Sequence, residues 1–187
     1  MSGFSRTVWI IACHHYRMFT GKPEHIKGFD YLSPRQYFLT FCTQSRRQCF
    51  VADDAVATVR TQIERAAAEQ DIALLAYCYM PDHVHFLAEG KAENSDCLQF
   101  IARGKQYSGF HYKATFKHRL WQRYGYEHTL RSDEAAISVA RYILENPVRA
   151  GLVPRIEDYP YSGASAYSIE QILEAIRLRD GWYRRSG

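Results

Sequence analysis

The chain has 187 residues, of which 47% are apolar and 24% are charged, and its formal net charge is +4. This composition is typical of a globular protein, and the length suits one domain with short extensions rather than two ordinary domains. No apolar run is long enough to cross a bilayer or is followed by a cleavage signal, so we expect a soluble, cytoplasmic protein.

The five cysteines indicate a reducing environment. They are odd in number, lie in mostly apolar settings and form no Cys-x-x-Cys pair. This pattern fits reduced thiols and argues against a zinc knuckle.

The first third of the chain predicts an extension, a strand and a helix. Residues 1–23 show no clear periodicity, and we treat them as an N-terminal extension. Residues 37–42 are aromatic and rich in β-formers, which predicts the first strand. Asp53 and Asp54 then offer N-cap chemistry to a helix that continues to Ala68.

The next two strands carry a His-x-His pair. Residues 72–79 predict a second strand, residues 81–82 a turn, and residues 83–88 a third strand that forms a hairpin with the second. Successive side chains on a strand alternate between its faces, so His83 and His85 point the same way. Two imidazoles on one face can share a metal ion, although two solvated polar residues would show the same spacing.

A second helix and a fourth strand follow. Ser95 is placed to cap a helix that begins near Asp96, but Gly104 and Gly109 weaken the prediction of its far end. Residues 121–130 alternate loosely between aromatic and polar side chains, which predicts the fourth strand.

The third helix carries a tyrosine and an amide on one flank. Residues 134–146 predict this helix, and Pro147 discourages its continuation. Tyr142 and Asn146 lie four residues apart, beside an apolar arc that should face the sheet. The arc consists of Ala136, Val139, Ala140, Ile143 and Leu144. Because the chain has 14 tyrosines, this position alone does not distinguish Tyr142 from a structural residue.

These elements predict an α+β fold. The order strand, helix, strand, strand, helix, strand is the split β-α-β, or ferredoxin-like (RRM-like), layout. We expect an antiparallel sheet with helices on one face, which leaves the other face available for a ligand. Residues 167–187 follow as a tail, with apolar spacing that predicts an amphipathic helix packed onto the domain.

Basic and aromatic side chains interleave between residues 99 and 131, where Glu127 is the single acid. A local excess of cations indicates a polyanion partner, and aromatic rings among them suit unpaired bases. Several of these rings must also belong to the core, and we expect Phe100, Phe110 and Phe116 to do so.

Two motifs together resemble one family. Residues 79–86 read YMPDHVHF and residues 140–153 read ARYILENPVRAGLV. Together they closely resemble the single-tyrosine HUH transposases, in particular the REP-associated tyrosine transposases. The resemblance also includes residues 27–31, 37–43, 120–123 and 159–163, and it covers roughly residues 23–166. It predicts a transposase domain over residues 24–166.

The resemblance implies a role for each motif residue. His83 and His85 match the family's ligands of a divalent metal, Mg²⁺ or Mn²⁺, and Tyr142 matches its nucleophile. Asn146 matches the Gln or Asn that completes the metal site. A phenol with a pKa of about 10 is a poor nucleophile at neutral pH, and a metal that polarises the scissile phosphate compensates for this. Attack would leave a 5′-phosphotyrosine link and a free 3′-OH.

The implied substrate is single-stranded DNA that forms hairpins, such as repetitive extragenic palindromes cut at a flanking sequence. The protein would act as a monomer or homodimer and associate with the nucleoid when bound to DNA. Basic and aromatic residues across the chain are assigned to DNA contacts: Arg46, Arg47, Lys105, Trp121, Arg123, Arg131, Arg141 and Arg149.

Three alternatives remain open. The chain could be a domesticated module that binds hairpin DNA or RNA without cutting it. It could be a metal hydrolase that activates water, with Glu127 or Glu145 as general base. Tyr107 could replace Tyr142 as the nucleophile, or could stack on a base.

Overall fold

The computed structural model describes residues 35–123, 126–129 and 133–183. The predicted N-terminal extension and the family-like residues 27–31 lie outside this part of the chain. The elements in chain order are β1 Gln36–Cys42, α1 Asp53–Glu69, β2 Ile72–Met80, β3 His83–Gly90, α2 Cys97–Phe116, β4 Tyr126–Thr129, α3 Asp133–Arg149, β5 Ser162–Gly163 and α4 Ile169–Tyr183.

The strands form one antiparallel sheet in the order β4-β1-β3-β2-β5. The first four strands in this order make the predicted ferredoxin-like arrangement, and β5 adds a short edge. The predicted α+β fold class is therefore confirmed. β3 lies at the centre, with β1 and β2 as its neighbours, so the two histidines of β3 are held by hydrogen-bonded strands on both sides.

Alternation along the strands builds two cores, one on each face of the sheet. On β1, Leu39 and Phe41 face α1 and α2, while Phe38 faces α3. On β3, Phe86 belongs to the first core and Leu87 to the second. His83 and His85 lie an even number of residues before Leu87 on the same strand, so their side chains point to the same face as Leu87, which is the α3 face.

The helices divide between these two faces. α1 and α2 share one face, as predicted, whereas α3 packs on the opposite face together with α4, so the expectation of helices on one face holds only for the first two. The predicted arc of α3 explains this, because Ile143 and Leu144 cover the apolar residues that alternation places on the second face. In the tail, Ile172 and Ile176 of α4 join the same core.

Three helix boundaries differ from the predictions. α2 is capped by the carboxylate of Asp96, which accepts from the backbone N–H of Gln99, while the Ser95 hydroxyl instead donates to the carbonyl of Asp71. α2 continues through Gly104 and Gly109 to Phe116. The glycine at position 104 suits the close approach of α2 to α1, because a Cβ there would lie 3.1 Å from Ile63 Cδ1. α3 continues past Pro147 to Arg149.

β4 begins later than predicted, at Tyr126 rather than residue 121. Trp121 makes only an isolated bridge with Thr43. None of the helices in the described part of the chain is long and apolar enough to cross a membrane.

Candidate active site

The two histidines converge at the start of β3. Their Nε2 atoms lie 3.1 Å apart, and both side chains are buried. β3 places them two residues apart on one face, and the central position of that strand fixes their backbone. The predicted shared face is therefore observed.

The outer ring nitrogens have different partners. Nδ1 of His83 lies 2.6 Å from Asp82 Oδ1, and Nδ1 of His85 lies 2.8 Å from Thr40 Oγ1 on β1. A carboxylate only accepts, so His83 carries its proton on Nδ1. Its Nε2 lone pair then faces His85.

Electrostatics keep His85 neutral. Burial lowers the pKa of His85 well below its usual range, and so do the charges of Arg46, of Arg149 and of His83 whenever the His83 ring is protonated. For Asp82, burial acts to raise the pKa of the carboxyl, but its hydrogen bond to His83 and the charges of His83 and Arg46 outweigh burial and lower it. The site thus combines neutral imidazole with an ionised carboxylate.

This donor set fits a divalent cation. An Nε2 lone pair 3.1 Å from a second imidazole nitrogen needs a proton or a cation between them. Imidazole nitrogens are ligands for transition metals, and outer hydrogen bonds such as those of Asp82 and Thr40 are the usual support of such ligands. No group of three or more His, Cys, Asp and Glu side chains in the described residues could hold an ion, so a third ligand from this part of the chain would be of another type.

Tyr142 lies beside the histidines. Its half-buried ring packs edge-on against His85 and Phe38, with 5.9 Å between ring centroids in both pairs. The guanidinium carbon of Arg149 lies 4.3 Å from the centre of the same ring. The fold therefore brings together the imidazole pair of β3 with the phenol of Tyr142 and the guanidinium of Arg149 on α3, which lies about 60 residues later in the chain.

Asn146 is buried one turn after Tyr142 on α3. Its Nδ2 donates to the carbonyl of Tyr142 at 2.9 Å and to that of Ile143 at 3.3 Å. Pro147 has no N–H, so it cannot make the helical bond to Ile143, and the amide of Asn146 replaces that bond. With Nδ2 used by the helix, the polar atom left for an ion is the carbonyl oxygen Oδ1.

The residues assigned to DNA separate into several groups. Arg46 pairs with Asp82, and Arg141 and Arg149 both pair with Glu145. Arg47 and Arg123 are exposed, whereas Arg131 lies outside the described residues. Trp121 is 4% exposed and its Nε1–H donates to Ser108 Oγ at 2.9 Å, so its ring belongs to the first core, although it also lines the cleft described next.

A basic cleft opens between α2 and residues 119–123. It encloses about 540 Å³, and its lining includes Lys105, Lys113, Arg119 and Arg123 but no acidic residue. Lys105 also donates to the carbonyls of Gln122 and Arg123, which holds the second wall of the cleft against the helix.

Phe110 lines this cleft and is 69% exposed, which corrects its predicted place in the core. Phe100, Gly104 and Ser108 are buried at four-residue spacing and define the inner face of α2. Phe110 falls two residues beyond Ser108, on the opposite side of the helix. The helical period predicts an exposed position for Phe110. The prediction of a core position rested on its aromatic character alone.

Tyr107 does not reach the histidines. Its hydroxyl donates to Glu69 Oε2 at 3.0 Å, and the Arg65 guanidinium lies 4.6 Å from its ring centre. These contacts place Tyr107 with α1, on the far side of the sheet from α3. Tyr107 is thus separated from the imidazole pair by the sheet itself.

Comparisons with known proteins agree with this geometry. The family model described as "Transposase IS200 like" matches residues 32–146, a span that contains His83, His85, Tyr142 and Asn146. The chain is 28% identical over 153 residues to the Haemophilus influenzae protein "Putative REP-associated tyrosine transposase", covering 71% of this chain and 81% of that one.

A solved structure shares the fold. The structure of a REP-associated tyrosine transposase bound to a REP hairpin superposes with a TM-score of 0.61 at 20% identity, covering 72% of this chain and 79% of that one. The family match spans more than half of the sequence and includes both motifs of the site. The chain belongs to the IS200-like transposase family.

Proposed function

We propose that this transposase family member is a metal-dependent endonuclease and strand transferase that acts on single-stranded DNA. The observation that carries the proposal is the imidazole pair, with Nε2 atoms 3.1 Å apart, in which the ring of His85 packs edge-on against the ring of Tyr142. A nucleophile beside a cation-binding pair is the arrangement that phosphoryl transfer to a side chain requires.

His83, His85 and Asn146 are the residues that would hold the metal. Bound there, Mg²⁺ or Mn²⁺ would polarise the scissile phosphate and stabilise its developing charge. Imidazole favours Mn²⁺ over Mg²⁺, whereas an amide oxygen suits both. Because Thr40 and Asp82 occupy the Nδ1 atoms, the ligand atoms are the two Nε2 nitrogens.

Tyr142 performs the chemistry in this proposal. Its phenolic oxygen bonds to phosphorus as the bond from phosphorus to the 3′ oxygen breaks; the phenol loses its proton and the leaving 3′ oxygen gains one. The Arg149 guanidinium lies 4.3 Å from the ring centre, in cation–π contact with the ring of the proposed nucleophile. The 5′-phosphotyrosine link conserves the energy of the broken bond, so the step can reverse or pass the strand to another 3′-OH.

The substrate that we propose is hairpin-forming DNA with an unpaired flank. A relative of the same fold is bound to a REP hairpin, which supports this substrate class. The basic cleft beside α2 offers four cations to phosphates and the exposed ring of Phe110 to an unpaired base. The active site would form within one chain or across a homodimer.

The test is covalent capture. Wild type, Tyr142→Phe and the control Tyr107→Phe are incubated with a 5′- or 3′-labelled hairpin and Mn²⁺ or Mg²⁺, then separated on a denaturing gel. We expect a shifted, covalent band with wild type and Tyr107→Phe and none with Tyr142→Phe. Binding without an adduct would favour a non-cleaving hairpin-binding module, and cleavage without an adduct would favour a hydrolase.

A further inference from the structure

We propose that Asp82 and Arg46 form a positioning pair for His83, setting its tautomer and its strength as a metal ligand. This inference rests on the proposed metal site and assigns it two supporting residues. Neither residue would touch the ion or the DNA phosphate at the reacting centre; both act through the ring of His83.

The two carboxylate oxygens of Asp82 have separate partners. Oδ1 lies 2.6 Å from Nδ1 of His83, and Oδ2 lies 2.9 Å from Nε of Arg46. Both contacts join a charged group to a donor, which makes them short and directional. The carboxylate is thus fixed in one orientation, and that orientation aims the His83 ring at His85.

The turn after β1 also holds the backbone of Asp82. Thr43 donates twice to the carbonyl of Asp82, from its backbone N–H at 3.0 Å and from its hydroxyl at 2.9 Å. Ser45 and Arg46 in this turn have φ values of 56° and 55°. Two successive non-glycine residues in the left-handed region are costly, and this backbone conformation is the one that returns the Arg46 side chain to Asp82.

The support of the two histidines is unequal. Nδ1 of His83 contacts a carboxylate, while Nδ1 of His85 contacts the neutral hydroxyl of Thr40. A carboxylate increases the electron density that an imidazole offers through its other nitrogen, and a hydroxyl does so far less. His83 is therefore the stronger ligand of the pair, and Arg46 supports it by holding the carboxylate of Asp82 in the orientation that contacts Nδ1 of His83.

The test uses two readouts, neither of them activity. Nitrogen-15 NMR of the metal-free protein reports the tautomer of His83, and titration calorimetry reports the dissociation constant for Mn²⁺. The variants are Asp82→Asn, which keeps an acceptor without charge, Asp82→Ala, which removes both, and Arg46→Gln. Asp71→Asn is the matched control, because the Asp71 side chain is exposed and its carboxylate lies 3.8 Å from Lys91 Nζ.

We expect wild-type His83 to be the Nδ1–H tautomer and Asp82→Ala to be a mixture. The Mn²⁺ dissociation constant should rise about 10- to 100-fold in Asp82→Ala. The rise should be smaller in Asp82→Asn, smaller again in Arg46→Gln, and absent in Asp71→Asn. Circular dichroism checks that each variant is folded at the titration temperature.

The outcomes separate the two proposals. If wild type binds Mn²⁺ and His85→Ala does not, but Asp82→Ala binds like wild type with an unchanged tautomer, the positioning pair is wrong and the metal site stands. If wild type itself does not bind Mn²⁺, the metal site is wrong and the positioning pair falls with it. An Arg46→Gln effect larger than that of Asp82→Ala would also contradict the proposed order.

Discussion

Replacing Asn146 with alanine should reduce stability as well as metal binding, because the structure gives this side chain two tasks. Its Nδ2 donates to the carbonyls of Tyr142 and Ile143, at the point where Pro147 interrupts the helix. The amide therefore keeps α3 helical through the turn that carries the nucleophile. Without it, the carbonyl of Ile143 loses the donor that replaces the missing N–H of Pro147.

The expected magnitude follows from the number of bonds lost. A hydrogen bond contributes about 0.5–1.5 kcal/mol net, so two bonds contribute about 1–3 kcal/mol to the free energy of unfolding. The Tyr142 carbonyl also accepts from Arg149 Nη2 at 2.6 Å, so it keeps one donor in the variant. We therefore expect about 2 kcal/mol, most of it from the buried carbonyl of Ile143.

Urea denaturation of a double-mutant cycle with Pro147→Ala is the assay. That second substitution restores a backbone N–H at position 147, so the cost of Asn146→Ala should fall by about 1 kcal/mol in its presence. A cost below about 0.5 kcal/mol in the wild-type background, or an equal cost in both backgrounds, would refute the role of Asn146 in bridging the interrupted helix.

Three further predictions concern the rest of the molecule. Trp121→Ala should destabilise the protein by about 3–5 kcal/mol in urea, because Trp121 packs against Phe41 and Phe50 in the first core; an effect below 1 kcal/mol would contradict its burial. Phe110→Ala should change stability by less than about 0.5 kcal/mol, yet weaken binding of a hairpin with an unpaired flank about tenfold in a fluorescence titration; unchanged binding would exclude the ring as a contact. Burial raises the pKa of Cys78 to about 12, so the native thiol should resist a thiol reagent at pH 8 until urea unfolds the chain. The unfolded thiol ionises near pH 8.5, so this residue lowers stability as the pH rises from there towards 12, and rapid reaction in native buffer would contradict its burial.

Local patterns predicted most of the fold. The aromatic and β-forming side chains of residues 37–42 marked β1. Apolar residues at helical spacing marked the inner arc of α3, because that period follows directly from backbone geometry. The division of helices between the two faces was not predicted. It depends on how the second face of the sheet is covered, and a strand pattern shows that a face is apolar without showing which helix covers it.

The site was predicted in part. Strand alternation brought His83 and His85 together, but the proximity of Tyr142 came from the family resemblance, since no local rule joins β3 to α3. The Asp82–Arg46 contact could not be predicted from the sequence, because it depends on two residues with left-handed backbone conformation in the turn after β1. Helix continuation beyond Pro147 was also missed, because a side chain of Asn146 supplies what the proline backbone lacks.

In the proposed reaction, Tyr142 becomes covalently joined to DNA. Mass spectrometry of the adduct formed with a hairpin and Mn²⁺ tests it most directly, after digestion with trypsin and a nuclease. Cleavage after Arg141 and Arg149 releases the peptide YILENPVR, residues 142–149, which has one tyrosine. We expect a nucleotide phosphate on this peptide. A nucleotide on the peptide QYSGFHYK, residues 106–113, which contains Tyr107, or product DNA without any modified peptide, would contradict it.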